Sequence, residues 1–257
     1  MTRDFTDDAY TELLDTGIEA GYDFLTVREY ILREDLPERF LLLRHDVDRK
    51  PENSVRFARI EAERDVSSTY YVRTIEKVFD PEILDRLEAL GHEVGYHYED
   101  LDRADGDVEA ARASFADHLA RLREHVTVDT VCMHGNPLTA HDNRDMWDDP
   151  ADLEPYGIVG EAYLSMDFTD VTYFSDTGRT WRDGALKIKD HTMGEGKKHV
   201  SADSTADLQT LLRNRRVDRA CLLTHPNRWA DSTPELVAEA AKDAVTNVGK
   251  RGLTLLR

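Results

Sequence analysis

The chain has 257 residues, 40% of them hydrophobic, so it can bury the core of one large domain and is not a disordered chain. Its formal net charge of -19, from 52 acidic and 33 basic side chains, excludes a nucleic-acid-binding surface and disfavours contact with anionic membranes. Asp residues (32) greatly outnumber Lys residues (8), which predicts a halophilic protein whose surface charges are screened by salt; an ordinary acidic protein is the alternative.

The first half of the chain alternates predicted helices with short apolar strands. Thr6 can cap a first helix, which predicts an N-terminal helical extension over about residues 1–35. Pro51 lies near the start of another helix, where its missing N–H is harmless, and Gly91 ends a helix over 81–90. A further helix is predicted over 108–125, and strands are predicted over 40–45, 68–72, 93–97 and 128–134.

The second half of the chain is less regular. A polar, aspartate-rich loop with one short helix is predicted over 141–150. Strands are predicted over 157–164, 171–175, 185–189, 220–224 and 253–256, and helices over 205–213 and 234–248. Because strands that alternate with helices form parallel sheets, we expect a single α/β domain over residues 1–257.

Histidine or aspartate stands at the end of five predicted strands. In α/β barrels the catalytic groups come from the C-terminal ends of several strands, whereas an open sheet concentrates its site at one crevice. The pattern therefore favours a closed or nearly closed barrel with one metal-assisted active site. The strand-end residues are Asp46 and Asp48, then His97, His134, Asp176 and His225.

The pair Asp46 and Asp48 is the first candidate for this chemistry. Two residues apart on an extended segment, the two side chains point the same way. One carboxylate could bind a metal while its neighbour takes a proton from metal-bound water. The alternative is a capped strand end, in which one of the two aspartates pairs with Arg44 or Arg49.

Four segments resemble the motifs of the NodB-homology polysaccharide deacetylases, carbohydrate esterase family 4. That family has an acidic motif after its first strand, a strand of the ATFFV type, a GHEIGxH segment and a late LxxH strand end. The matching segments are HDVD at 45–48, TYYV at 69–72, GHEVGYH at 91–97 and LLTH at 222–225. The resemblance implies a NodB-like fold, a distorted (β/α) barrel of roughly seven parallel strands.

The resemblance also implies roles for four of these residues. Asp46 would be the general base and His225 the general acid, while Asp48 and His97 would bind a divalent metal. Imidazole and carboxylate ligands together suit Zn²⁺ at a site with one position left open, so zinc is the favoured cofactor.

The third metal ligand is where the sequence departs from the family. The family places a second metal histidine four residues after the first, and that position holds Leu101, which cannot coordinate. Glu99 and Asp100 are nearby oxygen donors. His134, at the end of the next predicted strand, is the ligand we favour.

Further residues are candidates for substrate binding. The family's arginine-proline motif is absent, and Arg144 could supply the missing positive charge. The rings of Tyr163, Trp181 and Trp229 could stack on a sugar, although ordinary packing under a loop is the alternative. Asp176 and Arg179 could orient Asp46, His225 or a substrate hydroxyl, or form a structural ion pair.

The function implied by the resemblance is metal-dependent removal of an N-acetyl group from an amino sugar. The first eight residues form no hydrophobic signal region, and no stretch approaches the ~18 apolar residues of a membrane span, so we expect a cytoplasmic protein. A cytoplasmic enzyme would act on a small-molecule or lipid-linked amino sugar, a precursor in surface-glycan biosynthesis. The alternatives are a hydrolase of another C–N amide, such as a cyclic imide or ureide, and a catalytically inactive glycan-binding barrel.

Overall fold

A curled sheet of eight parallel strands forms the centre of the molecule. The computed structural model describes residues 3–182, 189, 192 and 200–256, with residues 245–256 described by their backbone alone. The strands are β1 (Asp23–Leu25), β2 (Phe40–Val47), β3 (Thr69–Val72), β4 (Glu93–Tyr98), β5 (Thr130–Met133), β6 (Gly160–Glu161), β7 (Thr172–Ser175) and β8 (Arg219–Thr224).

Seven of the strands form one path in the order β6-β5-β4-β3-β2-β8-β7. The short β1 pairs with the first residues of β2, while β3 pairs with its last four, so both lie on the same side of β2. Strand β8 takes the other side. The path curls into a half-barrel, and across its open edge the hydroxyls of Tyr163 and Tyr173 lie 3.0 Å apart. The predicted distorted (β/α) barrel of roughly seven parallel strands is confirmed.

Eight helices surround this sheet within the described part of the chain. The Thr6 side chain accepts the N–H of Ala9 and caps the first, as predicted, while Asp107 and Ser204 cap two others in the same way. The helices are α1 (Asp7–Glu19), α2 (Val27–Leu32), α3 (Pro51–Ala62), α4 (Pro81–Ala89), α5 (Asp100–Arg103), α6 (Val108–Arg123), α7 (Thr205–Arg213) and α8 (Thr233–Leu256). No helix of the described chain is long and apolar enough to cross a membrane.

Several predicted elements differ from those observed. The strand predicted over 253–256 is wrong, because α8 continues through Leu256 without a proline to end it. The strand predicted over 157–164 shrinks to the two residues of β6. There the Glu161 carboxylate accepts the backbone N–H groups of Met133, Tyr163 and Leu164, which ends the ladder. The strand predicted over 185–189 lies outside the described residues except for Lys189.

Strand β2 is buried along its whole length, as a central parallel strand covered on both faces must be. Its side chains alternate, so Arg44 and Asp46 face the barrel interior while His45 faces the helices. Nε2 of His45 donates to Oε1 of Glu61 in α3 at 2.7 Å, and its Nδ1 lies 2.6 Å from the hydroxyl of Thr224. His45 therefore belongs to a buried polar cluster behind the sheet and not to the barrel mouth.

Candidate active site

Four side chains from four strand ends meet at the mouth of the half-barrel. Asp48 is the first residue after β2, His134 the first after β5 and His225 the first after β8, while His97 lies near the end of β4. Oδ1 of Asp48 lies 3.5 Å from Nε2 of His97 and 3.6 Å from Nε2 of His134, and its Oδ2 lies 3.8 Å from Nε2 of His225. Residues separated by up to 177 positions thus share one site, as their strand-end pattern predicts.

The orientation of His97 is set by the backbone of the neighbouring strand. Its Nδ1 lies 3.0 Å from the carbonyl oxygen of Cys132, which can only accept, so Nδ1 carries the hydrogen. Nε2 then presents its lone pair to the carboxylates of Asp46 and Asp48, each 3.5 Å away. Burial lowers the pKa of His97, but the two carboxylates outweigh it and raise that pKa above its usual value. A positive charge is therefore favoured at this point of the site.

Asp48, His97 and His134 fit a divalent cation. Oδ1 of Asp48 is buried and has no hydrogen-bond partner within the described part of the chain. Its distances of 3.5 and 3.6 Å to the two Nε2 atoms are too long for hydrogen bonds. Each is close to one edge of a coordination tetrahedron, about 3.4 Å for metal–ligand bonds of about 2.1 Å, so two of the three distances between these groups suit a metal site. Burial raises the pKa of Asp48, but the three imidazoles bring it well below its usual value, so the carboxylate is ionised.

A second group of ligand atoms lies beside the first. One atom each from Asp46, His97 and Cys132 lie within 4.8 Å of one another. However, both oxygens of Asp46 are bound by the guanidinium of Arg44, and the Cys132 thiol lies against the carbonyl of Met133. A fixed cation beside this group disfavours a metal ion there. Of the two groups, the one that contains Asp48 and His134 therefore suits a cation better.

Arg44 is the partner of Asp46. Its Nε lies 3.0 Å from Oδ1 and its Nη2 2.7 Å from Oδ2, a two-point contact between residues on the same face of β2. Arg144, which could have supplied this positive charge, binds Asp142 instead, with Nη2 2.6 Å from Oδ2. The spacing of two residues on a strand was the signal for Arg44, and the alternative pairing of Asp46 with Arg44 is the one observed.

Asp176 orients His225. Its Oδ1 lies 2.6 Å from Nδ1 of the imidazole, and its Oδ2 accepts the backbone N–H of His225 at 2.9 Å and the indole N–H of Trp229 at 2.8 Å. Burial raises the pKa of Asp176, but His225 and Arg228 outweigh it, so the net shift is downward. The ionised carboxylate holds Nδ1 and leaves Nε2 facing Asp48.

Other predicted substrate-binding residues lie away from the mouth or beneath it. Trp229 and Trp181 are 0% and 2% exposed, so neither ring offers an accessible face for a sugar. Trp181 donates to Thr205, and Arg179 donates to the carbonyl of Arg228. Tyr163 is also buried, with the guanidiniums of Arg44 and Arg144 4.3 and 5.1 Å from its ring.

The side chains of Glu99, Asp100 and Leu101 point in different directions, and only that of Glu99 lies at the mouth. Leu101 is 3% exposed and belongs to the core. Asp100 turns away from the mouth and accepts from Tyr96 and Ser114, each at 2.6 Å. Glu99 stays at the mouth, behind His134. The arrangement thus offers three groups for a cation, with an arginine-held carboxylate and an aspartate-held imidazole beside them.

No protein-family model and no curated protein matches this chain. Several solved structures of other proteins are similar to it. A family 4 carbohydrate esterase from Streptococcus mutans is 13% identical over 88% of this chain and 86% of that one, with a TM-score of 0.45. PdaA of Bacillus subtilis, a family 4 carbohydrate esterase, is 15% identical over 94% and 84%, with a TM-score of 0.41. A family 4 acetyl xylan esterase from Clostridium thermocellum, in complex with cobalt, is 15% identical over 82% and 84%, with a TM-score of 0.40. Family 4 is also the family that the sequence motifs resemble.

Proposed function

We propose that the protein is a metal-dependent hydrolase that removes the N-acetyl group of an amino sugar. The observation that carries the proposal is the meeting of Asp48, His97 and His134 beside Asp46 and His225 in one barrel mouth. Each of these side chains has a partner that fixes its orientation or charge, which is typical of a built site and not of a chance cluster.

In the proposed mechanism each of the two flanking groups transfers one proton: Asp46 accepts one and His225 donates one. A divalent cation on Asp48, His97 and His134, with Zn²⁺ favoured, would polarise the acetamide carbonyl and activate water. Asp46, held in place by two hydrogen bonds from Arg44, accepts a proton from the attacking water. His225, as an imidazolium stabilised by Asp176, donates from Nε2 to the leaving nitrogen. Water is consumed, the C–N bond breaks, and acetate and the free amine result.

The substrate belongs to the same proposal. The resemblance of the motifs to polysaccharide deacetylases supports an N-acetylated amino sugar, either a small molecule or lipid-linked. A cytoplasmic location and a place in surface-glycan biosynthesis stay predictions. Acetate release from soluble N-acetylated sugar nucleotides is the assay that tests the substrate class and the reaction type.

The roles of Asp46 and His225 are tested by substitution. We expect Asp46→Asn and His225→Ala each to lower turnover by about 10²-fold or more, since each removes a proton-transfer group. The matched controls are Asp105→Asn and His125→Ala, at surface positions outside the mouth, which should keep full turnover. Melting temperatures check that all four variants fold. Activity retained in both site variants would contradict the assignment.

A catalytically inactive glycan-binding barrel is the second candidate, and Leu101 is the observation that favours it. Metal analysis separates the two. We expect one equivalent of divalent metal in the purified protein, lost in His97→Ala and in His134→Ala. Repeated preparations that bind no added Zn²⁺ or Co²⁺ would favour the binding protein.

A further inference from the structure

The local fold around Glu99 explains why the third ligand, the imidazole of His134, comes from another strand. Strand β4 ends at Tyr98, and α5 begins at Asp100, so the chain turns inward directly after Glu99. This turn carries Leu101 into the core, where its side chain is 3% exposed. Glu99 is the last residue before the turn whose side chain still lies at the mouth.

Three groups contact the Glu99 carboxylate. Its Oε2 lies 3.0 Å from Nδ1 of His134 and is bound by Nη2 of Arg73, and its Oε1 accepts from Nη2 of Arg103 at 2.8 Å. The contact with His134 is an ion-pair distance and not an aligned hydrogen bond. Both oxygens face guanidinium groups, which disfavours Glu99 as a direct ligand of a cation.

We infer that Glu99 is the positioning residue of His134, an inference that rests on the proposed function. An ionised carboxylate only accepts, so Nδ1 beside it carries the hydrogen and Nε2 keeps its lone pair. That lone pair lies on the side of Asp48, 3.6 Å from Oδ1. Within the described chain Nδ1 has no aligned hydrogen-bond partner, and the Glu99 carboxylate is the acceptor that lies 3.0 Å from it. Glu99 thus faces Nδ1 of His134 through an ion-pair contact, as the carbonyl of Cys132 faces Nδ1 of His97 through a hydrogen bond.

Arg73 extends this support to the other side of the site. Its Nη1 lies 3.5 Å from the backbone carbonyl of Asp48 while its Nη2 binds Glu99. One guanidinium therefore contacts both the loop that carries Asp48 and the carboxylate that orients His134. Removing a residue that contacts the free ring nitrogen of a metal-binding histidine typically lowers metal affinity 10- to 100-fold.

The tautomer of His134 tests the inference in the unaltered protein. Long-range ¹⁵N–¹H NMR of the metal-free protein at neutral pH, with the His134 signals assigned from His134→Gln, reports which ring nitrogen carries the hydrogen. We expect hydrogen on Nδ1 and an unprotonated Nε2. Hydrogen on Nε2 alone would overturn the inference, and this readout needs neither turnover nor bound metal.

Metal affinity gives the second test. We expect Glu99→Ala to weaken Zn²⁺ binding 10- to 100-fold in competition with a chromophoric chelator, and Glu99→Gln to weaken it less. Asp100→Asn is the matched control, since it alters the neighbouring buried carboxylate, which contacts no candidate ligand, and should leave affinity unchanged. A folded Glu99→Ala protein with wild-type affinity overturns the inference, even if Asp46 and His225 prove essential. If the wild-type protein binds no Zn²⁺, the proposed function fails, and the tautomer measurement alone then decides the role of Glu99.

Discussion

Asp176 has no solvent-exposed surface, and its carboxylate contacts His225 through two hydrogen bonds and Trp229 through one. Replacing it with asparagine keeps the shape but removes the charge that stabilises an imidazolium. We expect Asp176→Asn to lower kcat by up to about 10⁴-fold, the loss seen when a buried aspartate behind a catalytic histidine is replaced by asparagine. KM should change little, because Asp176 cannot contact substrate.

Steady-state kinetics on a soluble N-acetylated sugar measure this effect, with Asp105→Asn as the control for an exposed aspartate. A kcat within threefold of the wild type would mean that Asp176 only supports the fold. In that case a lower melting temperature, without a change in kcat, would be the consequence of losing its contact with Trp229.

Single residues differed in how far the sequence could predict them. Asp48, His97 and His225 follow buried apolar runs, and the C-terminal ends of parallel strands meet at one rim, so their convergence could be predicted. Trp181 and Arg179 could not be placed. An aromatic or arginine in a loop reads the same whether it faces a ligand or packs on a neighbour, and only the path of the chain separates the two.

At the scale of elements, strand β4 depends on Gly95. A Cβ added there would lie 2.5 Å from Cδ1 of Tyr71 and 2.9 Å from the carbonyl oxygen of Thr130. The Tyr71 ring cannot move away freely, because its hydroxyl lies 3.0 Å from that of Thr130 and the ring packs within the sheet. We expect Gly95→Ala to destabilise the fold by about 1–3 kcal/mol, the usual cost of overpacking. Urea denaturation measures it, and an unchanged midpoint would contradict the close approach.

Glu61 joins α3 to the back of the sheet. It accepts from Tyr10, Ser68 and Tyr70 and pairs with His45. Burial acts to raise the pKa of Glu61, but the charge and hydrogen bond of His45 outweigh it and lower the pKa from 4.5 to about 2. A lowered pKa stabilises the folded state fully above pH 4.5, and this stabilisation is lost as the pH falls toward about 2.

The matching experiment compares the wild type with Glu61→Gln by urea denaturation between pH 2 and 7. The difference in unfolding free energy should be on the order of 3 kcal/mol near neutral pH and should shrink as the pH falls below 4.5. Because both proteins share every other carboxylate, the difference isolates Glu61. A difference that does not vary with pH would show that the charge of Glu61 makes no contribution.

Strands of four or more residues and the longer helices could be predicted, and the shortest elements could not. Helix α7 was predicted over 205–213 and is observed as Thr205–Arg213. The three residues of β1 are too few to show alternation, and the helical extension predicted over residues 1–35 contains this strand as well as α1 and α2. The two-residue β6 is set by hydrogen bonds to the Glu161 side chain, a tertiary effect that no local pattern carries.

The whole molecule carries a net charge of -19, and its stability should depend on ionic strength. The Debye length falls from about 10 Å at 0.1 M salt to about 3 Å at 1 M, so added salt screens repulsion between distant carboxylates. Buried pairs such as Arg44 with Asp46, at 2.7 Å, are screened much less. Added salt should therefore weaken the repulsion between distant carboxylates, which destabilises the fold, more than the attraction within buried ion pairs, which stabilises it.

We expect the melting temperature to rise by roughly 5–10 °C between 0.1 and 2 M KCl, which for a chain of this size corresponds to a few kcal/mol. Sucrose at matched osmolality is the control, because it strengthens burial without screening charge and shows how much of the rise is due to exclusion of solute from the surface. A larger rise in KCl than in sucrose would support adaptation to salt. A melting temperature that is flat or falls with KCl would identify an ordinary acidic protein, in which the loss of surface ion pairs outweighs the relief of repulsion.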